Sequence, residues 1–331
     1  MRRLLWISSK SEPSQAVAKG GTKHNQAFLP DTPSRLSSRK SESPPKWQAA
    51  AGQSHYFGRF TEADHDDYRS AEAFCEASRL EDPKLFSPDS ISLIQTLGCR
   101  AWALEEPDTQ HFQGHIYNLS GKSDSKNTGA SVIGVQTSEQ CRDSTILSNF
   151  PIIAGKYDTR GKSGAYFEIR ISAPSTEGVI AIGMACKPYP SWRLPGWNRM
   201  SAALHLDDYR KFFENPDGGM DHDSCGRLRP DRALEPGETI GCGYEFATNT
   251  FFFTYNGDRF PAAFTGIYPP GQHDVYAALG VDGTCDFEVN FGGDSFAWQP
   301  ANEWDWRADN IGLPTGSGSV ELPSYDEVVQ K

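Results

Sequence analysis

The chain has 331 residues and a formal net charge of −11, with 31 glycines and 22 prolines spread along it, a composition that suits many short strands joined by turns better than long helices. Charge is uneven: residues 1–50 carry nine Lys/Arg against three Asp/Glu, a net of +6, which leaves −17 on the remainder. An acidic body argues against a nucleic-acid groove, which needs clustered Lys/Arg to hold phosphates.

The opening Met1-Arg2-Arg3-Leu4-Leu5-Trp6-Ile7 begins like a signal peptide, but the apolar run stops at Ser8. Residues 1–60 are Ser, Pro, Lys and Arg-rich without apolar periodicity and read as a disordered basic region, a solvated tail or a segment for an anionic membrane surface. Residues 61–98 form a short helical lead-in: Tyr68, Ala71, Phe74 and Cys75 fall at helical spacing between Asp67 and Leu80, and Pro83 ends the pattern. The apolar face is narrow, so a satellite of the domain that follows is expected. From residue 99 to 298 short runs bounded by turn residues take over. Phe167, Ile169 and Ile171 alternate with polar neighbours, the period of a strand buried on one face. Val179 to Met184 reads as a central strand, Ile240, Cys242 and Tyr244 as another, and Phe251 to Tyr255 runs into Asn256-Gly257, a tight hairpin signal. Val275 to Val281 and then Phe287, Val289 and Phe291 supply two more. Strands without intervening helices predict an all-β antiparallel sandwich. Residues 299–331 read as a flexible polar tail ending in Leu322-Pro323-Ser324-Tyr325.

The seven cysteines are odd in number and never form a CxxC pair, so neither a disulfide framework nor a zinc knuckle is expected and a reducing, cytoplasmic setting is the default. No run approaches the roughly 18 apolar residues of a membrane span. Gly155 to Ser163 imitates a phosphate loop with the wrong spacing and is followed by a strand instead of a helix. His205, Asp207, Asp221, His222, Asp223 and Cys225 are metal-ligand types without an established spacing, and no GxSxG elbow occurs. No catalytic residue, metal or cofactor is assigned. The sequon Asn118-Leu119-Ser120 has no role in such a compartment.

The ordered motifs Tyr166-Phe167-Glu168-Ile169, Ala181-Ile182-Gly183, Ile240 to Tyr244, Phe252 to Gly257 and Val289-Asn290-Phe291-Gly292 resemble the strand motifs of SPRY domains. Lys187-Pro188-Tyr189-Pro190-Ser191-Trp192-Arg193-Leu194-Pro195-Gly196-Trp197 is similar to a segment of one SPRY subgroup, the fungal endosomal adaptors of HECT-type ubiquitin ligases. Upstream, Ala101 to Asp108 and Asn149-Phe150-Pro151 extend the similarity, which covers roughly residues 65–330. The chain departs from that family twice. No membrane anchor is read in it, and His205-Leu206-Asp207-Asp208 runs into Tyr209 where the family has glycine.

The resemblance implies a SPRY sandwich that binds cargo membrane proteins and a tail that recruits a WW-domain HECT ubiquitin ligase at endosomal or vacuolar membranes. Leu322, Pro323 and Tyr325 form an LPxY variant of the PPxY ligand, able to lay leucine, proline and tyrosine into an aromatic groove. The same tyrosine opens a YxxΦ pattern, Tyr325 to Val328. Loops on a rigid sandwich commonly bind partners, and Trp, Tyr and Arg dominate hot spots. The candidate cargo-binding residues are therefore Tyr189, Pro190, Trp192, Arg193, Leu194 and Pro195, with Asp207 and Asp208 for a basic peptide; Trp197 reads as core. Two other readings stand beside this one: a soluble SPRY scaffold of the Ran-binding type that docks peptides in a larger complex, and an enzyme resting on the scattered His, Asp and Cys residues.

Overall fold

The computed structural model describes residues 65–119, 132–174, 178–224, 226–228, 232–269 and 271–315. The expectations for residues 1–60, for Cys225 and Ser120, and for the LPxY and YxxΦ patterns fall outside the described residues.

Two helices lead in. In α1 (His65–Ala77) Ala71 is buried and Tyr68, Phe74 and Cys75 are half-buried, the stripe that their spacing predicts. A second helix, α2 (Pro88–Leu97), has stop and start signals of its own: the Ser87 hydroxyl accepts from the Ser90 amide at 3.1 Å, Pro88 opens it, and Gly98 closes it at φ 61°. α1 contributes no residue to the main hydrophobic core, whereas Ile94 of α2 and the Cys99, Ala101 and Trp102 that follow enter it.

The strands, in chain order, are β1 (Leu104–Glu105), β2 (Gly114–Leu119), β3 (Val132–Thr137), β4 (Ser144–Ser148), β5 (Gly164–Ile171), β6 (Gly178–Cys186), β7 (Ser201–His205), β8 (Arg210–Phe213), β9 (Met220–Asp221), β10 (Thr239–Glu245), β11 (Thr250–Tyr255), β12 (Asp258–Arg259), β13 (Phe264–Thr265), β14 (Val275–Gly283) and β15 (Asp286–Asn290). They build two antiparallel sheets, β1-β4-β14-β6-β7-β8-β9 and β12-β11-β10-β5-β15-β3-β2, with β13 on β11. Val179 to Met184 lies in a central strand, and Asn256 and Gly257, at φ 48° and 83°, turn β11 into β12 as the dipeptide predicts. Ile146, Ile182, Leu204 and Leu279 of the first sheet share one buried core with Phe167, Ile169, Cys242, Phe253 and Phe287 of the second.

Each sheet is also covered on its outer face. On the first, register aligns Ala278 of β14, Gly183 of β6 and Ala203 of β7, with Gly280 and Ala181 in the next row. These small residues leave a flat surface, and the segment between β6 and β7 lies down on it. Tyr189 packs on Ala185 and Ala278, and Leu194 and Trp197 pack on Phe212. On the second sheet Phe296, Trp298 and Trp306 cover Tyr166 and Phe252, with ring centroids 4.9 Å apart for Tyr166–Phe296 and 4.8 Å for Trp298–Trp306.

That second cover corrects two expectations. β5 is not buried on one face only: Tyr166 and Glu168 are 1% and 6% exposed, because the chain after β15 folds back over them. Residues 299–315 are likewise packed structure where a flexible tail was expected; Ala301, Trp306 and Ala308 are buried, anchored by Trp306 against Trp298 and Phe252 while Trp304 stays exposed.

Close approach of the loop to the first sheet is the stringent feature. A Cβ on Gly280 would stand 2.6 Å from Pro195 Cδ and 2.9 Å from Leu194 Cδ2. Gly280→Val is expected to destabilise the fold by about 1–3 kcal/mol, despite valine's strand preference, as a drop in the urea midpoint. An unchanged or raised midpoint would show that the segment is not seated there.

Candidate recognition loop and its helical cover

Residues 188–199 are held as a layer by their own polar groups. The Tyr189 hydroxyl donates to the Leu194 carbonyl at 2.6 Å and accepts from the Asn198 amide at 3.3 Å. The Thr145 amide donates to the Ser191 carbonyl at 2.9 Å, and the Thr145 hydroxyl donates to the Arg193 carbonyl. Ser201 closes the end: its hydroxyl accepts from the Gly196 amide at 2.8 Å and donates to the Asn198 carbonyl at 2.7 Å.

The expectation of an open loop surface is therefore corrected. Tyr189, Pro190, Arg193, Leu194 and Pro195 are all buried; of the six loop candidates only Trp192 is partly exposed. Leu194 and Pro195 face the sheet. Trp197, read as core, is buried too, but on the outer face of the first sheet instead of between the sheets. Asp207 and Asp208 stand apart, in the turn between β7 and β8, where Asp207 is exposed and an Asp208 carboxylate oxygen accepts from the Arg210 amide at 2.9 Å. Tyr209, at φ 58°, is buried and donates its hydroxyl to the Arg232 carbonyl at 3.2 Å, which fixes the turn to a neighbouring loop.

What covers the loop is α1. Trp192 Nε1 donates to the Ser70 hydroxyl at 3.1 Å, and its ring meets Phe74 edge-on at 5.6 Å between centroids. Asn198 Nδ2 donates to Glu72 at 2.8 Å. Arg199 donates to the carbonyls of Cys75 and Ser78. The last turn of α1 holds no basic residue, so Arg199 supplies both the missing hydrogen bonds and the favourable positive charge at its C-terminus. Sequence reading found the α1 stripe and the loop separately but not their contact, since more than 100 residues separate them and nothing local encodes it.

Arg193 sits at the centre, 0% exposed. Its guanidinium lies 4.3 Å from the Trp197 ring and 5.9 Å from the Tyr68 ring, and Nε donates to Asn198 Oδ1 at 3.2 Å. Burial lowers its pKa, opposed by the charges of Asp143, Asp67 and Glu72. His205, buried beside it, meets the Pro195 carbonyl at 2.9 Å and stacks on Phe212 at 4.0 Å, and burial depresses its pKa. Among the described residues no three His, Cys, Asp or Glu side chains gather as a metal site. The six described cysteines are free thiols.

An antiparallel sandwich with a clamped aromatic and arginine-rich segment defines a β-sandwich module. Residues 165–294 match the SPRY domain family, so the chain carries a SPRY domain. It is 29% identical over 265 residues to Protein ssh4 of Sclerotinia sclerotiorum, covering 78% of this chain and 42% of that protein. A SPRY domain-containing protein of Schizosaccharomyces pombe is 33% identical over 163 residues, 48% of this chain and 37% of its own. The chain thus spans less than half the length of these relatives. A solved human SPRY domain is similar over 50% of this chain and 93% of its own, at 22% identity and a TM-score of 0.34.

Asp208 offers a charge-specific test of the turn. Burial first, then the neighbouring Asp207 charge, push its carboxyl up to about 6. An unfolded Asp titrates at about 3.9, so between those values the native chain binds the extra proton and stability falls as pH rises through the window. Asp208→Asn is expected to raise the urea midpoint at pH 7 and to lose that advantage at pH 4. An equal gain at both pH values would assign the effect to something other than charge.

Proposed function

We propose that the chain is a non-enzymatic substrate adaptor: the SPRY sandwich holds a cargo membrane protein, and Leu322, Pro323 and Tyr325 recruit a WW-domain HECT ubiquitin ligase, so that cargo is ubiquitinated and sorted from endosomes to the vacuole. The SPRY match and the similarity to fungal proteins named Protein ssh4, which extends well beyond residues 165–294, support this reading. So does the third layer built from Tyr189, Trp192, Arg193 and Trp197, the observation that carries it: these are side chains of hot-spot type held by a scaffold, through bonds from the Tyr189 hydroxyl, Arg193 Nε and Asn198. Among the described residues no helix is long and apolar enough to cross a membrane, so recruitment to membranes would run through partners or through segments not described here. Holding cargo and ligase on one chain supplies effective concentration, and the chemistry stays with the ligase.

A peptide of residues 316–331 is expected to bind the WW domains of a HECT ligase by calorimetry, with Tyr325→Ala weakening it by about tenfold or more as the tyrosine pocket empties. Indistinguishable titrations would remove the tail from the reading. Ligase pull-down by a chain ending at residue 315 would then favour the scaffold alternative.

A further inference from the structure

Beneath α1 the structure holds a cationic fork that is only partly bonded. Arg193 is fully buried, yet among the described residues neither Nη1 nor Nη2 has a hydrogen-bond partner, and Arg199 Nε is in the same position. Buried guanidinium groups normally meet carboxylates two bonds at a time, and leaving them unmet costs stability. Around the Arg193 guanidinium stand Trp197, Asn198 and Tyr68 of α1.

Its cover is seated by polar and aromatic contacts more than by apolar burial. Ala71 is the only residue of α1 that is fully buried, and the helix is held by side-chain bonds from Trp192, Asn198 and Arg199, by the Phe74–Trp192 pair and by Tyr68 over Arg193. The cover is also acidic: Asp66 and Asp67 occupy its first turn, Glu72 and Glu76 follow, and Asp67 and Glu72 act on the charge of Arg193. Opposite charge therefore faces the cationic layer, while the two terminal nitrogens of Arg193 still lack a bond.

We infer that the layer around Arg193 and Arg199 is a binding site for an acidic amphipathic helix of a partner, and that α1 is its resident, displaceable occupant. This rests on reading the sandwich as the cargo-binding part of an adaptor, and names the chemistry of the cargo segment. A partner carboxylate reaching Nη1 and Nη2 gains the bidentate contact that α1 does not make, which favours exchange over simple release.

The test uses the full chain and a fluorescein-labelled peptide of residues 65–80 as a stand-in for an acidic helix, read by anisotropy. Two variants lift α1 independently: Ala71→Glu, which places a charge at its buried contact, and Ala73→Pro, which breaks the helix at an exposed position. Either variant is expected to bind the peptide about tenfold or more tighter than the unaltered chain, whose own α1 competes at high effective concentration. Adding Arg193→Met to the lifted chain should lose about tenfold, because the peptide's Tyr68 ring and its Asp67 and Glu72 charges then no longer face a guanidinium, and a peptide carrying Asp67→Asn and Glu72→Gln should lose as much. Thermal melts check that each variant folds; replacing a buried guanidinium whose two terminal nitrogens are unmet by an apolar side chain of similar length is not expected to unfold the sandwich. Lifted, folded chains that bind no better than the original would overturn the inference. So would binding indifferent to Arg193→Met or to the neutral peptide, which would mean an apolar contact. Neither tail nor ligase enters the assay, so its failure and failure of the tail to bind WW domains are separate results.

Discussion

A β-sheet can carry a second layer close against its outer face only where some of its side chains are small enough to leave room, and this steric constraint operates on both sides of the molecule. Gly183 and Gly280, with Ala181, Ala203 and Ala278 around them, give the first sheet such a face; on the second, Gly164, Gly241 and Gly243 leave room for Trp306, Tyr166 and Phe252. Glycine in a strand interior costs conformational entropy. Here that cost is offset by burial of Tyr189, Leu194 and Trp197 on one side and of Phe296, Trp298 and Trp306 on the other. Two sheets thus become four layers.

The two outer layers treat their buried charge differently. Glu168 accepts from the Ala297 amide at 3.0 Å, from the Tyr166 hydroxyl at 3.0 Å, and from Asn290, so although burial raises its pKa its oxygens are met. It pins the chain after β15 to the second sheet. Arg193 on the opposite side bonds through Nε alone. A satisfied buried charge fixes structure, whereas one left short of partners costs stability.

How much was legible follows from the range of the interactions. Strand alternation and Asn256-Gly257 are local, and β5, β6, β10, β11, β14 and β15 were readable from them together with the SPRY resemblance. β2, β3, β4, β7 and β8 were not singled out, their short runs lacking clear turn punctuation. The Ser87, Pro88 and Gly98 signals of α2 were present but carried no wide apolar stripe beside them. For the candidate site, composition singled out a segment and misplaced its exposure: Tyr189, Arg193 and Pro195 look like surface residues in sequence, and only the small-residue sheet face and α1, distant along the chain, bury them. Ser70, Glu72 and Arg199 acquire their roles only through that contact.

The central claim is that residues 189–199 are a fixed layer and not an open loop. Backbone amide hydrogen exchange read by mass spectrometry addresses it directly. The Arg193 and Gly196 amides are bonded to the Pro190 carbonyl and the Ser201 hydroxyl within buried surroundings, so protection of this segment should approach that of β6 and β7. Exchange as fast as that of an exposed turn would contradict the account.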